Sequence, residues 1–394
     1  MISVAIIGTG NISKSHVRGY LAFPDRCQIV ALYDIYPDKA RALAEEFGLE
    51  VRVYDSHTAL LEAESGRIDM VDVCTSPASH AQVTIDALRA GVNVLVEKPM
   101  APSLEECDAM IAAARESGKK LGVVAQNRFR DDMATLKEAI DSGLAGDLTH
   151  VEVSSSWWRG KSYYDLWWRG TWASEGGGAT LSQAIHHLDL TLWLAGMPQK
   201  VTSVLANTAH DNSEVEDLSV SILSYPRGLA VISASVVDHG EEQSIVVQGT
   251  KARVSQPWRV VAYTPQPNGF PLPGGNPDLV RELDDLASRH VPLAHVGHEG
   301  QIGDFLDALE SGRPPAVTGE DGRAAMELAT AIYESGIEKR TVDFPLSADD
   351  PYYQAGQLAC RAPHFFEKTA SVEDQGGFIT VPSSPAPTHE GNDH

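Results

Sequence analysis

The chain opens with a short apolar run, residues 4–7, that leads directly into Gly8-Thr9-Gly10-Asn11-Ile12-Ser13. The first glycine of such a pattern permits a tight turn after a strand, and the second lets a pyrophosphate approach the backbone. The helix that follows supplies free N–H groups and a partial positive charge. Although ordinary turns also contain glycine pairs, this strand-turn-helix order predicts a dinucleotide-binding loop. Ser13 replaces the third glycine of the pattern and is also small.

Asp34 follows a second apolar run, residues 29–33, about two dozen residues after the glycines. A carboxylate at this place accepts hydrogen bonds from the ribose hydroxyls of adenosine. A helix N-cap or a solvated turn is the alternative role for Asp34. Ile35 and Tyr36 come next, so no arginine follows directly that could bind a 2′-phosphate. The sequence therefore predicts NAD, rather than NADP, as the cofactor.

Apolar runs alternate with amphipathic helical patterns throughout the first third of the sequence. The patterns predict strands at residues 4–7, 29–33, 51–54, 70–75, 92–96 and 121–125, and helices at residues 12–23, 37–47, 78–90 and 103–117. Such alternation is typical of a parallel sheet that helices cover on both faces. We predict that residues 1–125 form an NAD-binding α/β Rossmann domain with a doubly wound parallel sheet.

The rhythm changes after residue 126. Strands are predicted at residues 149–158, 200–209, 218–224, 229–237 and 244–249, with a single helix around 181–194, and helices return at 278–290, 301–311 and 320–336. Consecutive strands predict an α+β domain with a large, mostly antiparallel open sheet. We assign residues 126–346 to this substrate and oligomerisation domain. Residues 347–394, which contain Pro-Ser-Ser-Pro-Ala-Pro and several glycines, are predicted to be a C-terminal surface tail.

Composition argues against several classes of partner. The formal net charge is −23, and an acidic surface repels both nucleic acid and anionic membranes. No basic segment precedes the first strand, as a signal peptide requires, and no apolar run approaches membrane-spanning length. Four cysteines lack the spacing of a metal site or a disulfide framework. We predict a cytoplasmic protein that binds neither nucleic acid nor membrane.

Two further motifs lie at predicted strand ends. Cys74-Thr75-Ser76-Pro77-Ala78-Ser79-His80 follows the fourth strand, and Glu97-Lys98-Pro99 follows the fifth. Ligands of open α/β sheets bind beyond the carboxyl ends of the strands, so these motifs should lie near the cofactor. A solvated loop charge is the ordinary role of a lone lysine and is the alternative for Lys98.

The combination of motifs resembles the glucose–fructose oxidoreductase/inositol dehydrogenase/MocA family from residue 1 to about 350. The matching features are Gly8-Thr9-Gly10, Asp34, Thr75-Ser76-Pro77 with His80, Glu97-Lys98-Pro99, Gln126-Asn127-Arg128-Phe129, Gly176-Gly177-Gly178 leading to His186-His187-Leu188-Asp189, and the stretch from Pro314 to Ser335. With this resemblance, the predicted cofactor contacts are Gly8, Gly10, Asn11, Ile12, Asp34, Thr75, Ser76, Pro77, His80, Glu97, Lys98 and Asn127.

The resemblance also implies that Lys98 is the catalytic lysine and His186 its acid–base partner. It implies an open sheet that often forms a subunit interface, and hence a homodimer or homotetramer. Many members have an aspartate four residues before the histidine, but this chain has Ser182 there, followed by Gln183. One helical turn separates Ser182 from His186, so we expect their side chains to share a face and the hydroxyl to orient the ring by a neutral hydrogen bond.

Residues 157–172 hold five of the seven tryptophans and precede the glycine-rich approach to His186. Aromatic faces stack on the C–H faces of sugars, while arginine and tyrosine donate to hydroxyls or a carboxylate. An aromatic subunit interface or plain core explains the tryptophans equally well. The predicted substrate contacts are Arg159, Tyr163, Arg169, Trp172, Ser182, Gln183 and His186.

Roles are also predicted for two other histidines, His187 and His298. His187 should pack within its helix, and His298 opens a helix in either a structural or a functional role. His186, His187 and Asp189 lack the spacing of a helical zinc site, so no metal is predicted.

The sequence thus predicts an NAD-dependent oxidoreductase. It would transfer a hydride between nicotinamide and a secondary alcohol of a sugar, glycoside, sugar acid or cyclitol, with Lys98 and His186 sharing the proton transfer and the stabilisation of the alkoxide. One alternative is a glycosidase that uses bound NAD in a transient oxidation. The other is a cofactor-sensing regulator without enzymatic activity, against which the presence of both Lys98 and His186 argues.

Overall fold

A computed structural model of the chain describes residues 1–372. The first domain is built on a six-stranded parallel sheet with the order β3-β2-β1-β4-β5-β6. Its strands are β1 (Ile2–Ile7), β2 (Cys27–Tyr33), β3 (Arg52–Tyr54), β4 (Met70–Val73), β5 (Asn93–Val96) and β6 (Leu121–Val123). The winding of the sheet reverses at β1, and ligand crevices of open α/β sheets lie at such reversals. This arrangement confirms the predicted doubly wound Rossmann domain.

Five helices connect these strands. They are α1 (Ser13–Leu21), α2 (Pro37–Phe47), α3 (His57–Ala63), α4 (Pro77–Arg89) and α5 (Leu104–Ser117). Four match the predicted helices to within a few residues. The fifth, α3, has only seven residues, too few for a periodic pattern, and the Ser56 hydroxyl caps it by accepting a hydrogen bond from the Ala59 N–H at 3.0 Å.

The second sheet has eight strands in the order β13-β12-β11-β7-β10-β9-β8-β14. Its strands are β7 (Leu148–Ser156), β8 (Lys200–Ala206), β9 (Leu218–Tyr225), β10 (Gly228–Ser235), β11 (Ser244–Gly249), β12 (Ala252–Gln256), β13 (Arg259–Ala262) and β14 (Val342–Asp343). Every neighbouring pair is antiparallel except β7 and β10, which confirms the predicted mostly antiparallel sheet. Val204, Val220, Ile222 and Leu229 of this sheet are exposed. Such apolar exposure is compatible with a subunit interface, and the homo-oligomer stays a prediction.

Helices of the second half differ from the prediction in three places. They are α6 (Asp131–Asp141), α7 (Ala179–Ser182), α8 (Ile185–Ala195), α9 (Pro277–Ser288), α10 (Gly297–Ser311), α11 (Gly319–Glu338) and α12 (Gln357–Arg361). The sequence analysis missed α6 and α12. The single helix predicted around residues 181–194 is wrong, because the chain forms α7 and α8 with a break at Gln183 and Ala184.

The chain returns to the first domain near its end. Helix α10 packs against α1 so closely that a Cβ on Gly19 would lie 2.4 Å from the Cδ1 atom of Ile302. Residues after 346 also contact the body of the protein, since the Glu105 N–H donates to the Tyr353 carbonyl at 3.1 Å and Tyr352 is buried. Residues 347–372 of the predicted surface tail thus pack against the body of the protein, and the rest of that prediction lies outside the described residues. No helix within residues 1–372 is both long and apolar enough to cross a membrane.

Candidate active site

The turn between β1 and α1 forms an open cradle at the carboxyl edge of the parallel sheet. Gly8 has a φ of +95°, and a Cβ there would lie 2.6 Å from the Cys74 carbonyl carbon, so only glycine fits. Gly10, in contrast, is exposed and has no atom within 4 Å of the place where its Cβ would stand. The hydroxyl of Ser13 closes the turn by donating to the Gly10 carbonyl at 2.6 Å. Asn11 and Ile12 complete the cradle, which has the free backbone surface that a pyrophosphate requires.

Asp34 lies beside this cradle at the end of β2. Its Oδ2 atom accepts hydrogen bonds from the Thr9 N–H at 2.8 Å and the Thr9 hydroxyl at 2.9 Å, and Oδ1 accepts from the Tyr36 N–H at 2.9 Å. The carboxylate is only half-buried and is held in a fixed orientation next to the glycine turn. This position fits the adenosine ribose of a dinucleotide whose pyrophosphate lies over Gly10.

The other predicted cofactor motifs lie at the same edge, but two of their side chains, His80 and Glu97, face inward. Thr75 and Ser76 follow β4 and keep exposed surface, and Pro77 begins α4. The His80 side chain is buried at 1% exposure, which argues against the predicted contact between His80 and the cofactor. The ring nitrogens of His80 lie 2.9 Å from the Pro99 carbonyl and 3.0 Å from the Thr75 carbonyl. His80 thus ties the two strand-end loops together.

Glu97 also points into the protein and belongs to a buried ionic chain. Its Oε1 atom lies 2.9 Å from Nε2 of His16, and Nδ1 of His16 lies 2.7 Å from Oδ2 of Asp72. Nε2 of His298 lies 3.5 Å from the same Glu97 oxygen. These partners argue against the predicted contact between the Glu97 side chain and the cofactor. The second Glu97 oxygen, Oε2, instead accepts the backbone N–H of Lys98 at 3.0 Å.

The titration behaviour of this chain follows from its geometry. Burial alone would lower the pKa of His16, but the flanking Asp72 carboxylate outweighs it and raises that pKa well above its ordinary value. Burial would raise the pKa of Glu97, but hydrogen bonding to His16 and the proximity of His298 hold that pKa well below its usual range. The pair is thus an imidazolium bound to carboxylates. Sequence reasoning missed His16, whose only signal was its place on the inward face of α1.

A metal ion is the other arrangement that such side chains suggest. Ligand atoms of His16, Glu97 and His298 lie within 4.8 Å of one another. However, each ring nitrogen of His16 lies within hydrogen-bond distance of a carboxylate oxygen, which leaves no nitrogen lone pair for a cation. We therefore describe the group as an ionic chain that anchors the backbone of Lys98.

Lys98 and His186, predicted from distant parts of the sequence, line one cleft together with residues 123–125 and Asp189. The Lys98 amine donates to the Ser182 carbonyl at 3.2 Å. Burial lowers the pKa of Lys98 and the nearby Arg169 lowers it further, against the opposing charges of two glutamates. Burial and the neighbouring Lys98 lower the pKa of His186 well below its ordinary value, so this ring is neutral at neutral pH.

Three glycines, Gly176-Gly177-Gly178, bring the chain to α7 and thus to Lys98. A Cβ on Gly177 would lie 2.2 Å from the Tyr333 hydroxyl, and one on Gly178 would lie 1.8 Å from the Glu216 carbonyl oxygen. The buried Glu216 carboxylate accepts the Gly178 N–H at 3.0 Å, the Thr180 N–H at 2.9 Å and the Tyr333 hydroxyl at 3.0 Å. Burial raises the pKa of Glu216 to about 7. Close backbone packing therefore explains this glycine run.

The predicted pairing of Ser182 with His186 is wrong. Ser182 ends α7, and its hydroxyl donates to Oε1 of Glu175 at 2.8 Å instead of bonding to the imidazole. The same Glu175 oxygen accepts from Nη1 of Arg169 at 2.7 Å, and Oε2 accepts the Gly170 N–H at 2.7 Å. Sequence reasoning missed Glu175, because its partners become visible only when the loop is folded.

Arg169, Tyr163 and Gln183 form a connected group next to Glu175. The guanidinium carbon of Arg169 lies 4.1 Å from the centroid of the Tyr163 ring and 4.1 Å from that of Trp168. The Tyr163 hydroxyl accepts from Nε2 of Gln183 at 2.9 Å. Nε of Arg169 and Oε1 of Gln183 are buried with no hydrogen-bond partner among residues 1–372. One donor and one acceptor of this group are thus unsatisfied within the described residues.

The remaining predicted site residues divide between the pocket and the core. Arg159 lies 5.6 Å from the Tyr163 ring centroid and pairs with Glu241 at 2.9 Å. Trp172 is only 3% exposed, and its indole N–H donates to the Pro363 carbonyl at 3.2 Å, which argues against the predicted substrate contact of Trp172. Asn127 lies in a 3-10 turn, Gln126–Phe129, directly after β6 and is half-buried. His187 is buried within α8, as predicted.

Comparisons with known proteins agree with this arrangement. Residues 2–125 match the model of the oxidoreductase family with an NAD-binding Rossmann fold, and residues 133–255 match that of the GFO/IDH/MocA C-terminal domain. The chain is 28% identical to an inositol 2-dehydrogenase of Rhizobium meliloti over 347 residues, which covers 86% of this chain and 98% of the relative. It is 27% identical to a D-apiose dehydrogenase of Paraburkholderia graminis, covering 88% and 91%.

Among solved structures, the WlbA dehydrogenase of Bordetella pertussis, in complex with NADH and UDP-GlcNAcA, is similar with a TM-score of 0.75 at 29% identity. That match covers 88% of this chain and 98% of WlbA. A myo-inositol dehydrogenase structure from Sinorhizobium meliloti matches with a TM-score of 0.69 at 26% identity, covering 88% and 100%. The chain belongs to the glucose–fructose oxidoreductase/inositol dehydrogenase/MocA family of NAD-binding dehydrogenases.

Proposed function

We propose that this dehydrogenase oxidises a secondary hydroxyl of a neutral cyclitol, sugar or glycoside with NAD, and that Lys98 and His186 handle the hydroxyl proton. The proposal that the substrate is neutral rests on the ion pair between Arg169 and Glu175 beside Lys98. The names of the inositol and apiose dehydrogenases among the relatives also denote neutral substrates, which supports the proposal.

Charge balance in the pocket disfavours a sugar acid. Arg169 is paired with Glu175 at 2.7 Å, and Arg159 is paired with Glu241 at 2.9 Å. A carboxylate on the substrate would have to compete with these glutamates for the guanidinium groups, and burying it without a guanidinium partner is costly. A neutral polyol meets no such cost.

The unpartnered atoms of Arg169 and Gln183 also favour a neutral polyol as the substrate. Arg169 Nε can only donate a hydrogen bond and Gln183 Oε1 can only accept one. A hydroxyl group donates and accepts, whereas an ionised carboxylate only accepts. Both atoms are closed off from solvent, so a substrate would reach them only if neighbouring side chains moved. Polyol hydroxyls would then relieve two unsatisfied buried groups.

The cofactor fits the cradle at Gly8 and Gly10, with Asp34 on its ribose, and NAD supplies a two-electron acceptor when bound. Lys98 is the better candidate for the base, because a lowered pKa brings its amine toward the working pH, where a general base is most effective. The pKa of His186 is so far lowered that its ring is a weak base. The neutral imidazole would hydrogen-bond to the reacting oxygen while Lys98 takes the proton.

The test is a matched panel read at the absorbance of NADH. Myo-inositol, D-glucose and a methyl glucoside are compared with D-glucuronate and the corresponding glycoside acid, each with NAD. D-Glucose is paired with D-glucuronate and the methyl glucoside with its acid. In each pair we expect kcat/KM to be about tenfold or more higher for the neutral member, which is the size of one modest charge interaction. Equal or better turnover of the acids would refute the neutral pocket. Cleavage of the glycoside without net NADH would indicate an NAD-dependent glycosidase instead.

A further inference from the structure

A segment near residue 370 lies along the loop that carries the proposed substrate contacts. We call residues 362–372 the docked segment and residues 161–172 the substrate loop. The Val372 N–H donates to the Asp165 carbonyl at 2.7 Å, and the Trp167 N–H donates to the Val372 carbonyl at 3.0 Å. Main-chain hydrogen bonds of this kind, as between two parallel strands, join the two stretches directly.

Side chains strengthen this junction. The Lys368 amine donates to the Tyr164 carbonyl within the substrate loop. Asn212 bridges the two stretches, since its Oδ1 atom accepts the Ala370 N–H at 2.9 Å while its Nδ2 atom donates to Oδ1 of Asp165 at 2.9 Å. The same Nδ2 atom donates to the Ala370 carbonyl at 3.0 Å. One end of the substrate loop is thus fixed from two sides.

The other end of the loop is held through Glu214. The Phe365 N–H donates to the Glu214 carbonyl at 3.0 Å, and the Glu214 N–H donates to the Gly170 carbonyl at 2.7 Å. The Glu214 carboxylate accepts the Trp172 N–H at 3.0 Å, and the Trp172 indole donates to the Pro363 carbonyl at 3.2 Å. The docked segment therefore spans the loop from Pro363 to Val372.

We propose that the docked segment is a positioning element for the substrate site. No hydrogen bond or ion pair within residues 1–372 joins it to Lys98 or His186, but it fixes the backbone directly after Tyr163 and on both sides of Arg169. A loop that is ordered before the substrate arrives spares the free energy of ordering it on binding. The segment thus sets affinity and selectivity for the polyol and leaves the proton chemistry and the cofactor cradle unchanged. This role rests on the proposed function only in naming the polyol as the ligand of the loop.

The experiment compares two full-length-derived chains, one ending at residue 361 and one ending at residue 372. The second retains every contact described above and is the matched control. Each is measured for KM and kcat with the neutral panel member that is oxidised fastest, for NAD binding by fluorescence titration, and for hydrogen–deuterium exchange of residues 161–172. The exchange measurement needs no substrate, so it tests the docking even if no panel member is oxidised.

We expect the chain ending at residue 361 to show a rise of roughly tenfold in polyol KM, because ordering several loop side chains then opposes binding. Exchange of the substrate loop should accelerate, while kcat and NAD affinity change by less than about twofold, since the proton-transfer groups stay in place. The chain ending at residue 372 should match the full chain. Unchanged exchange and unchanged KM in the shorter chain would overturn the proposal, as would an equal loss of NAD affinity.

If the shorter chain does not fold, a pair of point variants tests the same proposal. Lys368→Met removes the donor to the Tyr164 carbonyl, and Lys368→Arg keeps a donor at a similar reach. We expect the methionine variant to raise polyol KM and loop exchange, and the arginine variant to restore both. A methionine variant identical to the parent in both measurements would refute the positioning role.

Discussion

Glu175→Gln tests whether the pocket is neutral because Glu175 compensates Arg169. Three donors converge on the Glu175 carboxylate: Nη1 of Arg169 at 2.7 Å, the Ser182 hydroxyl at 2.8 Å and the Gly170 N–H at 2.7 Å. Its side chain is 4% exposed, and that of Arg169 is 20% exposed. Glutamine has nearly the same shape, so the change removes a charge and one acceptor with little change in packing.

This change should have two effects, one on stability and one on the binding of an acidic substrate. The glutamine NH₂ must face one of the former donors, so at least one hydrogen bond to a charged group is lost, at about 1.5–3 kcal/mol. We expect Tm to fall by roughly 3–10 °C for a domain of this size. Arg169 is also left without its partner charge. A substrate carboxylate about 5 Å from the guanidinium would gain about 3 kcal/mol at an effective dielectric of about 20, and desolvation should offset roughly half of this.

The expected result is a shift of substrate selectivity by about tenfold toward the acid, measured as the ratio of kcat/KM for D-glucuronate to that for D-glucose. Glu175 also raises the pKa of Lys98, so its removal lowers that pKa further. If Lys98 is the base, kcat rises as the pH passes its pKa, and this limb should move to lower pH in the variant.

Glu241→Gln is the matched control, because it removes the partner of Arg159 in the same way, at 2.9 Å. It should leave the pH profile of kcat in place, since Glu241 is not among the charges that act on Lys98. A Glu175→Gln enzyme with unchanged selectivity and an unchanged pH profile would refute the charge argument.

Three further substitutions address the cofactor and the proton. Asp34→Asn should keep an acceptor for the glycine turn but reduce the preference of kcat/KM for NAD over NADP by at least about tenfold, and equal losses with both cofactors would contradict the ribose assignment. Lys98→Met should lower kcat by roughly 10²-fold or more while NAD still quenches fluorescence normally. The same variant should raise the pKa of His186 in an NMR titration, because in the parent protein the Lys98 charge lowers that pKa. An unchanged pKa of His186 would show that the two groups are not coupled. Ser182→Asp should place a second carboxylate beside Glu175 and lower Tm at neutral pH, with a deficit that shrinks in acid as the repulsion is relieved by protonation; full stability at neutral pH would exclude this contact.

The first domain could be predicted nearly in full because its pattern is local. Strands of a parallel sheet are buried on both faces, so they read as continuous apolar runs between amphipathic helices. In the second domain, the sequence analysis missed the strands β12 and β13. They have only five and four residues, so their alternation of buried and exposed residues is brief. The helix α3 was missed for the same reason. Short elements depend on the neighbours that they pack against, which the sequence does not reveal.

Motifs located Lys98 correctly at a strand end but did not indicate which way its neighbours point. Glu97 and His80 lie in the same two motifs as the proposed cofactor contacts, yet both side chains are buried and bind protein groups. The partner of Glu97, His16, is 81 residues away in the sequence. Contacts over such distances are set by the order of strands in the sheet, and the spacing of residues within one motif carries no information about them.

The error at Ser182 shows how a break in a helix changes the chemistry of a site. In an uninterrupted helix the Ser182 carbonyl would accept the N–H of His186, and both side chains would share a face. Because α7 ends at Ser182, that carbonyl instead accepts the Lys98 amine at 3.2 Å, and the hydroxyl turns to Glu175. The carboxylate of this region lies seven residues before Ser182, at Glu175, where it pairs with Arg169 and acts on Lys98. Burial and the Lys98 charge lower the pKa of His186, whereas Glu175 acts on Lys98 and opposes the fall of its pKa.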